Sequence, residues 1–133
     1  MDMTPEFTAL AFVLILAIVQ IFAAATARTM ELGPKWNAGP RDEAAPAPGK
    51  LAGRLLRAQA NLFETLPIFI AAVLMAHITG NDGGPLTLWG THLYLFARVV
   101  YVPLYAFGVT GLRTLAFLIS LAGLIMVLAS LFV

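Results

Sequence analysis

No charged residue interrupts the run from Phe7 to Ala27, and none follows Arg113 on the way to Val133. An apolar stretch of about 20 residues, wound as a helix, matches the roughly 30 Å hydrocarbon thickness of a bilayer. Two such stretches in a chain of 133 residues commit it to lipid or to a core larger than it can build. Hydrophobic residues are 60% of the chain and charged residues 11%, against about 25% charged in soluble domains, and the mean hydropathy is +0.88. A soluble domain of this size leaves roughly 30–40% of its unfolded surface in water, so so apolar a composition excludes a soluble globular fold. The length allows four or five spans with short loops and no sizeable extramembrane domain, which makes residues 1–133 a single transmembrane domain. A net charge of +1 provides no field for nucleic acid. Cysteine is absent, which removes disulfides, thiolate metal sites and a cysteine nucleophile. Any thiol chemistry must then use a thiol brought by a ligand.

Four helical segments are expected, at about 7–28, 50–78, 86–107 and 112–133, forming an all-α transmembrane bundle. The first resembles a signal peptide in its Ala25-Thr26-Ala27 end, but the residues ahead of it carry Asp2 and Glu6 and no base, where a signal starts positively. It is therefore read as a retained span. Residues 28–56 hold Gly33, Pro34, Gly39, Pro40, Pro46, Pro48 and Gly49 with charges of both signs and read as the one long loop, with Pro46 to Gly49 as the stop before a new helix. Asn81-Asp82-Gly83-Gly84-Pro85 and Gly108 to Gly111 read as tight turns. Arg28, Lys35, Arg41, Lys50, Arg54 and Arg57 flank or fill the first loop, and Arg98 and Arg113 lie near the third. By the positive-inside rule, loops one and three are cytoplasmic and both termini outside. The expected location is a cell membrane, the inner one if the source is bacterial.

An ionised side chain at the bilayer centre costs about 3 kcal/mol or more, so polar residues inside the spans carry the information. Arg57, Asn61 and Glu64 share one helical face, as do Arg98, Tyr101 and Tyr105. Arg113 and Thr114 open the fourth segment, Arg28 closes the first, and Gln20 lies within it. Convergence of this set builds an arginine-rich pocket in the cytoplasmic half of the membrane. Taken singly, Arg57 and Arg113 also fit as snorkelling headgroup anchors, Glu64 as a helix-pairing partner and the tyrosines as interface belt residues. As a set they do not, because belt residues have no reason to share a face with an in-span arginine and carboxylate. His77 and His92 are each single and toward the outer side, with no cluster of Cys, Asp or Glu beside them, so no metal site is expected. Pro67 and Pro103 fall inside spans.

The run Arg57-Ala58-Gln59-Ala60-Asn61-Leu62-Phe63-Glu64 resembles the R-A-x-x-N-x-x-E signature of the MAPEG superfamily, the membrane-associated proteins in eicosanoid and glutathione metabolism. Residues 97–105, followed by Leu112-Arg113-Thr114, are similar to that family's third helix and the start of its fourth. The resemblance covers nearly the whole chain. It implies a homotrimer of four-helix subunits, with glutathione between neighbouring subunits in the cytoplasmic half and a hydrophobic small molecule as second substrate. By position, Arg57, Asn61 and Glu64 would form the polar network of the second helix. Arg98, Tyr101 and Tyr105 would face the tripeptide from the third, and Arg113 and Thr114 would approach the sulfur. Arg28 is a further contact.

The chemistry is compatible. Arginines bind the two carboxylates of glutathione, and Glu64 or Asp42 takes its amine. A free thiol titrates near pH 8.5; Arg113 beside a helix N-terminus favours the thiolate, with Thr114 as hydrogen-bond donor. The thiolate then attacks a lipid-dissolved electrophile or reduces a lipid hydroperoxide, a detoxifying transferase or peroxidase activity. Gln59, Ala60, Tyr101 and Phe117 stand where prostaglandin synthase members commonly have His, Arg, His and Tyr, which points away from prostaglandin synthesis. Two other readings stay open: a non-catalytic protein of the same fold that binds lipid or a partner protein, and a small proton-coupled drug exporter using Glu64. The arginines beside Glu64 suit an anion and disfavour a cationic drug.

Overall fold

The computed structural model describes residues 2–40, 42 and 44–133; Arg41, one of the bases assigned to the first loop, lies outside the described residues. The chain forms α1 (Pro5–Leu32), a short α2 (Pro34–Ala38), α3 (Lys50–Ile78), α4 (Pro85–Ala106) and α5 (Thr110–Ser130). α1 begins where the Thr4 hydroxyl accepts from the Phe7 amide at 3.1 Å, with Pro5 in the first turn. It runs past Arg28, the limit expected from the loss of apolar character, because Thr29, Met30, Glu31 and Leu32 are all compatible with a helix. It stops at Gly33, whose φ of +90° favours glycine and whose amide caps back to the Thr29 carbonyl. α3 ends the same way at Gly80 (φ +75°), with the Asn81 amide returning to the Ala76 carbonyl at 2.8 Å.

α1, α3 and α5 are each long and apolar enough to cross a membrane. α4 has 22 residues, but Thr87, Thr91, His92 and Arg98 dilute its apolar character. The four long helices share one core. Ala9, Leu10, Val13 and Ala17 of α1 meet Leu62, Leu66, Phe69 and Val73 of α3, Tyr94 and Leu95 of α4, and Leu124 and Val127 of α5. The Tyr94 ring stacks on Phe69 at 3.9 Å, and its hydroxyl is satisfied by the Thr65 hydroxyl at 2.7 Å, so the polar tip of a buried aromatic has a partner. Phe12, Ile15, Ile18 and Phe22 of α1, and Leu112, Leu115, Leu118 and Ile125 of α5, are exposed. In lipid this is the favoured arrangement, and it explains why so apolar a chain buries so few of its side chains.

Each end of the bundle is tied by polar contacts. At one end Glu6, 2% exposed, accepts from the Gly83 amide and the Thr87 hydroxyl, both at 2.7 Å. A carboxylate there also suits the N-terminus of α4. His77 pairs with Asp82 at 2.8 Å and packs on Phe7. At the other end the described bases gather. Arg28 pairs with Glu31 at 2.8 Å and donates to the Pro46 carbonyl, while Glu31 accepts from the Gly49 amide at 2.9 Å. Arg54 donates to the Ala106 carbonyl at 3.3 Å, closing the C-terminus of α4.

Candidate functional site

At this basic end α3, α4 and α5 enclose an open cavity of about 410 Å³, within the roughly 300–1,000 Å³ of small-ligand sites. Helical periodicity puts its residues there. Arg57, Ala60, Asn61 and Glu64 follow one another along α3, Tyr101 and Tyr105 are one turn apart on α4, and Arg113, Thr114 and Phe117 lie in the first two turns of α5. Three of the lining residues, Tyr101, Tyr105 and Phe117, belong to a small apolar cluster with Ala58, Ala116 and Leu104.

Tyr105 organises the charged rim. Arg57 Nε donates to its hydroxyl oxygen at 3.2 Å, and the Arg113 guanidinium lies over its ring, 4.3 Å from the centroid. Both arginines are thereby held toward one space with no acidic partner among the described residues, and the Tyr105 hydroxyl keeps its own proton to donate. Stacking fixes the planar guanidinium in orientation while its edge donors stay free. Tyr101 meets Tyr105 edge-on at 5.5 Å and carries the Arg98 guanidinium over its ring, 4.3 Å from the centroid. Glu64 is the cavity's one carboxylate, exposed and without an ion pair among the described residues. Two cations, two phenols and a carboxylate in one cavity match a zwitterionic ligand with more anionic than cationic groups.

A model of the MAPEG family matches residues 7–133. The chain belongs to the MAPEG family. It is an integral membrane protein of the eicosanoid and glutathione metabolism type. No curated protein matches it individually.

Seven of the nine residues singled out from the MAPEG resemblance line the cavity: Arg57, Asn61, Glu64, Tyr101, Tyr105, Arg113 and Thr114. Two do not. Arg98 is 1% exposed and sits behind the wall, with Nη1 donating to Asn61 Oδ1 at 2.7 Å. Arg28 is engaged by Glu31 and the Pro46 carbonyl, where it fastens the end of α1 to the start of α3. Asp42 is exposed outside the helices and is not among the cavity's lining residues. Ala60 and Phe117 do line it; their signal in the sequence was spacing, three residues after Arg57 and three after Thr114. Among the described residues no three His, Asp or Glu side chains gather to hold a metal ion.

Thr114 is placed at the cavity but its hydroxyl donates to the Thr110 carbonyl at 3.1 Å. A hydroxyl has one proton, so here the oxygen faces a ligand as an acceptor and not as the expected donor. Thr114→Val should change the rate of any thiolate reaction less than about threefold, since no neutral donor is removed; steady-state kinetics in detergent measure it. A loss beyond tenfold would show that the hydroxyl turns toward the sulfur.

Proposed function

We propose that this chain is a membrane-embedded glutathione transferase or peroxidase, active as a homotrimer on lipophilic electrophiles or lipid hydroperoxides. The observation that carries the reading is the pair Arg57 and Arg113 held on Tyr105, facing the same cavity as Glu64. In this reading Arg57 and the Tyr105 hydroxyl take a carboxylate of the tripeptide, Glu64 takes its amine, and Asn61 a peptide group. Arg113, in the first turn of α5, stabilises the thiolate. The bound thiol supplies the nucleophile: its sulfur forms the new bond to an electrophilic carbon as the leaving group departs, or two glutathiones give the disulfide as a hydroperoxide becomes alcohol and water. Excluding water from the site strengthens the Arg113 charge.

All four long helices span the membrane in this reading, with both termini outside and the basic end of the bundle cytoplasmic. The gathering of Arg28, Arg54, Arg57 and Arg113 at that end supports it. A cysteine introduced at Gly84, where a Cβ meets nothing within 4 Å, should react with an impermeant maleimide from outside intact cells. One at the exposed Ala44 should react only after permeabilisation. The reverse pattern overturns the orientation.

Glutathione titrated calorimetrically into the purified protein in detergent tests the function. Saturable binding with proton release at neutral pH is the expected result. Its absence favours a non-catalytic lipid- or partner-binding role for the same fold.

A further inference from the structure

Among the described residues three buried side chains have polar atoms without a hydrogen-bond partner: Glu6, whose Oε2 lies at the far end of the bundle, Gln20 and Arg98. Gln20 of α1 is 3% exposed, and neither Oε1 nor Nε2 has a hydrogen-bond partner. Arg98 of α4 is 1% exposed and uses Nη1 on Asn61, leaving Nε and Nη2 unpartnered. Each isolated group carries a desolvation cost, the buried cation the larger one, and lipid on the outer faces gives no relief. One contact would answer Gln20 and Arg98 together, because a guanidinium has only donors and a carboxamide oxygen is an acceptor.

The two groups lie at the same depth. The Phe7–His77 ring contact and the Glu31–Gly49 hydrogen bond fix the register of antiparallel α1 and α3 at both ends. Interpolation between them sets Gln20 level with Asn61 and Leu62. Asn61 is bonded to Arg98. They also lie on facing sides. Gln20 continues the buried stripe Leu10, Val13, Ala17 of α1. Ala17 and Leu95 belong to one core with Leu62, and Gln20 and Arg98 each follow one turn later along these two helices. The result is a polar layer between the main core and the small Ala58–Tyr101–Ala116 cluster.

We propose that Gln20 is a positioning residue of the cavity: its carboxamide oxygen accepts, through one bridging water, from the edge of Arg98 that has no protein partner, and so holds Arg98 on Asn61. With Oδ1 committed to Arg98, Asn61 turns its NH₂ to the cavity it lines. It therefore offers a donor to a carbonyl or carboxylate of the ligand. This deepens the glutathione reading and rests on it for the identity of that ligand.

Two measurements test it. In thermal melts of the purified protein, Gln20→Leu and Arg98→Leu should be non-additive, the double variant melting no lower than Arg98→Leu alone. Arg98→Lys, which loses the fork, takes its place if the leucine variant fails to insert. In kinetics with glutathione and an aryl halide, Gln20→Leu should raise the KM for glutathione about 5- to 10-fold, the effect of about one hydrogen bond, with kcat within about twofold. Gln20→Glu, which keeps an acceptor for Arg98, should stay within about threefold of the parent KM. Additive melts overturn the contact. An unchanged KM in Gln20→Leu reduces the residue to packing and overturns the positioning role. If the parent protein binds no glutathione, the function proposed above fails, and the melting cycle alone then upholds or overturns the Gln20–Arg98 contact.

Discussion

Replacing Arg113 by leucine is expected to slow conjugation of glutathione to a model aryl halide about 30- to 1000-fold, the equivalent of roughly 2–4 kcal/mol of lost transition-state stabilisation in a partly dry site. The protein should still insert and assemble, because among the described residues the Arg113 side chain has no acidic partner to abandon and rests on the Tyr105 ring, 4.3 Å from its centroid. Arg113→Lys should recover part of the rate, since an ammonium keeps the charge but neither stacks nor forks like the guanidinium. Arg57→Leu should differ in kind. Its Nε is bonded to the Tyr105 hydroxyl, whereas Arg113, which is given the thiolate role, lies over the ring itself, so the KM for glutathione should rise more than kcat falls. Stopped-flow and steady-state assays on the purified protein in detergent separate the two. Full activity in Arg113→Leu, or loss of insertion alone, would make the arginine a headgroup anchor and sink the catalytic assignment.

Gly123→Ala is expected to destabilise the bundle more than any other single methyl addition, by about 1–3 kcal/mol or more. A Cβ at Gly123 would stand 2.5 Å from the Gly90 carbonyl oxygen and 2.9 Å from the Tyr94 amide. Both are backbone atoms of α4, so no rotamer change relieves the clash and the two helices must separate. Gly90→Ala meets the Gly123 carbonyl at 2.7 Å and should behave alike. Close approach at small residues is what packs helices in lipid, where burying apolar surface adds little. Separation would also shift Tyr101 and Tyr105 against Arg113, so activity should fall with stability. Differential scanning fluorimetry reads the first effect. Gly111→Ala, which meets nothing within 4 Å, is the control and should melt within a degree or two of the parent. Equal melting of all three would show that α4 and α5 are not held at this crossing.

The helices were legible because lipid imposes a simple rule: backbone groups must be satisfied within the segment, so charge-free runs of bilayer length become helices. The site was legible for a related reason. In-span polar residues are costly, and three- and four-residue spacings along three helices sort them onto single faces. That logic has no means to tell a cavity wall from the layer behind it. Arg98 shares a face with Tyr101 and Tyr105, yet one turn deeper it is buried against Asn61. Arg28 looked equivalent to the other basic residues until the return of the loop brought Pro46 and Gly49 to it and to Glu31. Thr114 carries a hydroxyl in any reading, but only the local helix commits its proton to Thr110.

The sequence by itself determined the solvent, the four long helical segments, the family and most of the polar side chains that meet in the cavity, though not the short α2 inside the first loop, because each follows from the order of residues along a helix and from the cost of charge in hydrocarbon. Tertiary structure decided depth and partnership: that Tyr105 is the ring on which Arg57 and Arg113 meet, that Arg98 acts from behind Asn61, and that α4 and α5 touch at Gly90 and Gly123. These depend on the register between helices far apart in the chain, which periodicity along any one helix does not encode.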